Sequence, residues 1–194
     1  NGWRGRSEVS APRSCVATLL LVACAAPAPG VEAIQRVATA VPVVAPCKDE
    51  GNWDEATAPR HVFANTWYVG SCGISAILIT SPAGHILIDG ATEAAAYGVA
   101  RSIEASGHRM RDVRVILNTH EHFDHAGGIA RLQQLSGAQV LSRAAALPVL
   151  RSGRSERNDP QHLELKPFPA VPGARAIADD AHVQVGPLSV QVHA

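Results

Sequence analysis

Val113-Arg114-Val115-Ile116-Leu117-Asn118-Thr119-His120-Glu121-His122-Phe123-Asp124-His125-Ala126-Gly127-Gly128 passes from an apolar run, through a cluster of metal-capable side chains, to a pair of glycines. Val113 to Leu117 reads as a buried strand, so the polar groups emerge where a strand ends and a loop begins, a position that open α/β sheets use for sites. His120, His122, Asp124 and His125 all fall within the stretch. A tetrahedral zinc site accepts at most four protein ligands and a catalytic one usually takes three, so this crowding suits two ions better than one. His120 and His122, two apart, face the same side of an extended segment and can chelate one ion. Asp124 and His125, adjacent on a tight loop, then serve a second ion about 3.5 to 4 Å away, with an ionised water shared between the two. A lone histidine would be a loop residue, but His-x-His-x-Asp-His between a strand and Gly-Gly is specific for metal. Gly127 and Gly128 let the backbone pass close behind the metal and open the next helix. Glu121 and Phe123, at the open positions, read as rim and packing residues.

Outward from that stretch the chain alternates strand and helix chemistry. His61 to Val69 is aromatic and β-branched, Ile74 to Thr80 is largely apolar, and His85 to Ile88 is a second apolar run after the turn Ser81-Pro82-Ala83-Gly84. These read as consecutive antiparallel strands, two of them buried enough to lack alternation. Thr92 to Ser106 has helical spacing: Thr92 caps, Ala94 to Ala96 favour helix, Val99 and Ile103 share a face, and Gly107 stops it. Gly127 to Leu135 reads as a helix, Ala138 to Leu141 as a short strand, and Ala144 to Leu150 as a short helix interrupted near Pro148. Arg151 to Glu164 is polar, charged and long for a connection, which makes it a candidate loop over a site. Ala174 to Ala178 and Val183 to Val192 close as two strands, the last alternating Leu188, Val190 and Val192 against Ser189, Gln191 and His193. This order predicts a mixed α/β layered domain.

Composition bounds the function. Lys plus Arg and Asp plus Glu both number 17 in 194 residues, so no global field draws the chain to nucleic acid, and no partner protein is evident. Arg4, Arg6 and Arg13 precede an apolar run from Cys15 to Ala26 that Pro27-Ala28-Pro29-Gly30 terminates, the layout of an export signal rather than a membrane span. Leu21-Val22-Ala23-Cys24 resembles a lipobox that would anchor Cys24 to lipid, whereas Ala38-Thr39-Ala40 has the spacing of ordinary cleavage; the second is favoured. The expected organisation is a signal peptide over 1–40, an extended arm over 41–60 and a partial domain over 61–194, in a periplasmic or secreted protein. Cys47 and Cys72 then remain in an oxidising compartment, either as a disulfide or as two small unpaired hydrophobes. Residue 1 is Asn, and Pro187 to Ala194 read as a strand that stops without a turn, so the sequence reads as a piece of a longer protein.

The segment Thr119 to Gly128 resembles the zinc motif of the metallo-β-lactamase superfamily, and the resemblance runs from about His61 to Ala194. Asn65-Thr66-Trp67-Tyr68-Val69-Gly70, then Gly73 to Ile79 and Ile86-Leu87-Ile88-Asp89-Gly90, are similar to the opening strands of the third subclass of class B β-lactamases. In that subclass the second metal keeps both an Asp and the adjacent His, as Asp124 and His125 stand here. The resemblance implies an αββα four-layer sandwich whose C-terminal part is missing from this sequence, with two zinc ions at one edge between the sheets. It implies His120 and His122 on the first zinc, Asp124 and His125 on the second, Asp124 also holding the attacking hydroxide, and Asp89 as the acidic residue supporting the metal loop. The implied substrate is a small molecule, a β-lactam antibiotic, with the loop from Arg151 to Glu164 at its rim. A glyoxalase-type thioesterase or a lactonase shares the ligands and is the alternative. Each ion needs one further histidine from later segments, and His193 is not one of them; 194 residues alone would therefore bind metal weakly and not turn over. His61, His85, His108, His162 and His182 stand singly and read as surface or turn residues.

Overall fold

The computed structural model of the chain describes residues 47–48 and 51–193. The export signal, its cleavage sites and the Cys24 anchor fall outside the described residues. The main body is a seven-stranded sheet in the order β1 (Arg60–Phe63), β2 (Thr66–Tyr68), β3 (Ile77–Ile79), β4 (His85–Ile88), β5 (Val113–Leu117), β6 (Gln139–Arg143), β7 (Arg175–Ile177). The first four strands pair antiparallel and the rest parallel. Parallel neighbours need crossovers, and these carry α1 (Ala96–Ala105), α2 (Phe123–Ala126) with α3 (Ile129–Ser136), and α4 (Leu147–Ser152). Strand order advances one step each time, and crossovers of one hand then stack their helices on one face.

The pleat sorts the two faces. Leu87, Ile116 and Val140 point into the helix-side core with Val99, Ile103, Ile129, Leu132 and Leu150. Ile86, Val115 and Leu117 point the other way, where an antiparallel pair, β8 (His182–Val185) and β9 (Leu188–Gln191), contributes Val183 and Val185. Helix layer, sheet and the two strands facing it make a mixed α/β arrangement corresponding to three of the four expected layers. Each fully buried Leu or Ile contributes about 1.5 to 3 kcal/mol, so both faces stabilise the strand ends from which the site grows.

Two segments read as single strands are hairpins. His61 to Val69 folds back at Ala64, which takes φ 46°, so β1 lies against β2; Val183 to Val192 folds back at Gly186, φ 55°. Ala64 carries none of the usual turn chemistry, whereas Gly186-Pro187 does, and across it the apolar positions shift from Val183 and Val185 to Leu188 and Val190. The α1 helix begins at Ala96 rather than Thr92, although Thr92 Oγ1 does accept from the Ala95 N–H at 3.1 Å while its hydroxyl donates to Asp54. Of the expected arm, residues 47–48 and 51–60 are described, and 51–59 run through turns and bends tied to the body of the domain. Cys47 and Cys72 form a disulfide, the Cys72 N–H donates to Glu55, the Gly73 N–H to Asn52, and the Ser102 hydroxyl to the Thr57 carbonyl.

Three of the solitary histidines join one aromatic chain at the end of the sheet where β4 begins. His85 lies 4.9 Å from His108, His108 lies 5.9 Å from Trp67, and Trp67 lies 4.9 Å from His61. His85 is buried in β4, 6% exposed, so it is not a surface residue. Burial lowers its pKa, with His108 adding to the effect, and burial lowers that of His108 too. The unfolded chain therefore binds more protons than the folded one below the ordinary histidine value of 6.5, and these two groups cost stability as pH falls through that window. Urea midpoints of the wild-type chain should drop between pH 7 and pH 5, and His108→Gln should reduce that drop; an unchanged pH slope in the variant would remove this pair as the cause.

Candidate metal centre

Strands β4 and β5 run parallel with Ile88 opposite Leu117, so the residues that follow them emerge side by side. β4 ends in a sharp turn in which Asp89 (φ 63°) and Ala91 (φ 56°) are left-handed. Asp tolerates that region and Ala does so at about 1 to 2 kcal/mol, a local strain that the surrounding packing sustains. The turn directs the Asp89 carboxylate, 4% exposed, under the loop that follows β5. Its Oδ1 accepts from the Thr119 N–H at 2.8 Å and from Asn118 Nδ2 at 3.3 Å; its Oδ2 accepts from the Thr119 hydroxyl at 2.7 Å and from His125 Nδ1 at 2.9 Å.

These bonds decide the protonation of two imidazoles. An ionised carboxylate only accepts, so His125 carries its proton on Nδ1 and keeps a lone pair on Nε2. The Thr119 hydroxyl spends its proton on Asp89, so its oxygen is left to accept from His120 Nδ1 at 3.1 Å, and His120 likewise keeps a lone pair on Nε2. The short helix α2 begins after His122 and carries Asp124 and His125, with Asp124 Oδ2 lying 3.5 Å from His125 Nε2. Its carbonyl at His125 accepts from the Gly90 N–H at 2.8 Å, which ties it to the end of β4. Gly128, at the start of α3, packs so tightly there that a Cβ would overlap the Gly90 carbonyl oxygen, and a Cβ on Gly127 would overlap that of Phe123. The expected close passage of the glycine pair is thus realised against neighbouring backbone.

His120, Asp124 and His125 each bring one ligand atom into a cluster whose members lie within 4.8 Å of one another. Zinc places N and O donors at about 2.0 to 2.2 Å, so the donor set and its spread fit an ion after small side-chain rotations. The His120 ring lies 4.3 Å from His125 and 4.9 Å from His122, so the three imidazoles are neighbours. His122 stands outside the tight group, because its Nε2 contacts Asp159 Oδ2 at 3.0 Å. Burial, reinforced by the charges of His125 and His122, lowers the His120 pKa; the hydrogen bond to Asp89 raises that of His125. Phe123 packs on Trp53 at 5.9 Å and under Lys166 Nζ at 5.4 Å, while Glu121 Oε2 is buried with no hydrogen bond, 3.5 Å from Arg143 Nη2.

A sequence model of the metallo-β-lactamase superfamily matches residues 69–192. The chain belongs to that superfamily. Metallo-β-lactamase SMB-1 bound to 2-mercaptoethanesulfonate superposes with a TM-score of 0.72 at 48% identity, over 73% of this chain and 55% of that one. MEM-A1, a subclass B3 metallo-β-lactamase from a soil metagenome library, gives 0.71 and 49% over 73% and 54%; MIM-1 from Novosphingobium pentaromativorans gives 0.71 and 45% over 73% and 52%. The fold is therefore that of the metallo-β-lactamases, and the chain spans about half the length of these structures. A shorter likeness is to hydroxyacylglutathione hydrolase of Pseudomonas paraeruginosa (strain DSM 24068 / PA7), 49% identical over 49 residues, 24% of this chain and 19% of that protein. The same enzyme of Bradyrhizobium sp. (strain ORS 278) is 38% identical over 65 residues, 30% and 24% of the two chains.

Sequence reasoning named the four candidate ligands and Asp89 but missed Thr119, Asn118 and Asp159. Thr119 had a readable signal, a hydroxyl directly before the first histidine, whereas nothing in the loop separates Asp159 from Glu156 or Glu164. His193 pairs with Asp180 at 2.8 Å, away from the four ligands' cluster. Asp89→Asn offers one acceptor oxygen where the carboxylate offers two, so part of the Thr119, Asn118 and His125 set loses its partner. Zinc affinity is expected to fall roughly 10- to 100-fold. Stability should fall by about 1 to 3 kcal/mol for the unpaired buried donor. Chelator competition and urea denaturation read the two separately, and an unchanged zinc affinity would contradict the role assigned to Asp89.

Proposed function

We propose that this chain carries the zinc-binding segment of a β-lactamase of the third class B subclass, which hydrolyses the amide bond of a β-lactam ring. The observation that carries the reading is the likeness to metallo-β-lactamases at 41–49% identity over 73–77% of the chain. Two zinc ions would be held in part by His120, His122, Asp124 and His125. Bound zinc supplies electrophilic polarisation of the substrate carbonyl and lowers the pKa of its water to about 7. The chain supplies the rest. His120 and His125 present Nε2 lone pairs whose direction Asp89 and Thr119 fix, so little reorganisation is left at the moment of binding. Asp124, half-buried beside His125, is an acceptor placed to orient a water proton.

Export of the protein to the periplasm or beyond fits both the apolar segment after Arg13 and the Cys47–Cys72 disulfide, which an oxidising compartment sustains. Lipidation at Cys24 is a second way of leaving the same signal. The substrate would be a small molecule, as the thiol ligands named with the SMB-1 structures are.

A thioesterase acting on a hydroxyacylglutathione is the second reading, favoured by the short matches to two such enzymes. Those matches cover 24% and 30% of this chain, whereas the likeness to β-lactamases covers nearly three quarters, so the lactamase reading is preferred. The open reading frame that carries this sequence, expressed with export in a bacterial host, is to be assayed with nitrocefin and with S-lactoylglutathione. Nitrocefin should be opened, chelation should abolish the activity, and Asp124→Ala should lower turnover at least about a hundredfold. Thioester cleavage without nitrocefin opening would give the site to the second reading.

A further inference from the structure

His120 and His125 take their second hydrogen bonds from the floor of the site, through Thr119 and Asp89. His122 does not. Its Nε2 reaches Asp159, 37 residues along the chain on the loop after α4, where both side chains are mostly shielded from water. The loop holds Asp159 in place by itself. Its N–H donates to the Glu156 carbonyl at 3.0 Å, and its Oδ1 accepts from the Gln161 N–H at 2.7 Å, which leaves Oδ2 free for the histidine. The loop base is closed by the Phe168 N–H on the Gly153 carbonyl at 2.9 Å, and a Cβ on Gly153 would overlap the Phe168 carbonyl.

We propose that Asp159 is a positioning residue for His122, holding its ring as the Nε2–H tautomer so that Nδ1 is the nitrogen left with a lone pair. The consequence for metal rests on the function proposed above: Asp159 would hold the His122 ring in the orientation in which it meets zinc, as Thr119 and Asp89 would for His120 and His125. The loop then acts on the centre through one hydrogen bond, and any movement that withdraws Asp159 frees the His122 ring to rotate and change tautomer. The Arg151 to Glu164 segment thereby gains a defined connection to the site, where the sequence offered only its length and polarity.

Two substitutions separate positioning from packing. Asp159→Ala removes both acceptors. Asp159→Asn is isosteric, but the Gln161 N–H claims its single oxygen, which turns the amide NH2 towards His122 Nε2 and favours the opposite, Nδ1–H tautomer. Long-range proton–nitrogen NMR of the metal-free 194-residue chain should show His122 protonated at Nε2 in the wild type, mixed in Asp159→Ala and shifted to Nδ1–H in Asp159→Asn. Zinc affinity by chelator competition should fall roughly 10- to 100-fold in both variants. In a His122→Ala background the same substitutions should cost nothing further, because Asp159 acts through that ring. An unchanged tautomer in Asp159→Asn, or an equal zinc loss with His122 absent, overturns the proposal. If the wild type binds no zinc while the tautomers shift as described, the positioning role stands and the zinc reading alone fails.

Discussion

One carboxylate, that of Asp89, organises the candidate metal centre. It is buried, and it accepts four hydrogen bonds from three residues that lie immediately beyond the neighbouring strand or on the helix after it. Leaving such a charge unpaired in the interior would be far more costly than any single hydrogen bond it makes, so its partners are fixed together or not at all. That all-or-none character carries from the carboxylate to the histidines. Thr119 can only donate to Asp89, and from that follows the proton on His120 Nδ1; His125 can only donate, and from that follows its free Nε2. Two imidazole nitrogens are thus left with lone pairs by a carboxylate that is not itself in their cluster.

The sheet makes this arrangement cheap to hold. Parallel pairing of β4 and β5 brings Asp89 next to Asn118 and Thr119 without any long loop, and the tight approach of Gly128 to Gly90 brings α2 down onto the same spot. The strain of two left-handed residues after β4 falls where Ile88, Leu117 and the helix-side core already fix the backbone. Local conformational cost is therefore borne by packing that the fold needs anyway.

Much of this was legible in the sequence, and what was not has a physical reason. The period of the apolar residues revealed the crossover helices and the buried strands β4 and β5, because burial on both faces leaves continuous apolar runs. The two hairpins were read as single strands because the turn at Ala64 carries no turn chemistry, and because the Gly186-Pro187 signal, across which the apolar positions shift from Val183 and Val185 to Leu188 and Val190, was not given weight. The candidate cluster was legible because His120, His122, Asp124 and His125 fall within six residues of the chain and so lie near one another without any long-range geometry. His85 was read as a surface or turn residue, since a polar side chain at the start of an apolar run gives no hint of a buried ring edge-on to His108. Asp159 could not have been found, because its partner lies across a turn-rich loop whose path is set by Gly153, Phe168 and Val171 rather than by any periodic pattern.

The cluster is therefore supported from two different sides. On one, His120 and His125 are tied through short bonds to a strand end buried in the core; on the other, His122 is tied to a loop whose Leu163 is 96% exposed. A hydrolytic site of the kind proposed above would have to admit its substrate yet keep its donors aligned, and those demands conflict if every donor rests on the same floor. Placing one imidazole under the control of the loop resolves the conflict. The floor fixes where metal can sit, and the loop decides how completely the donor set is assembled around it.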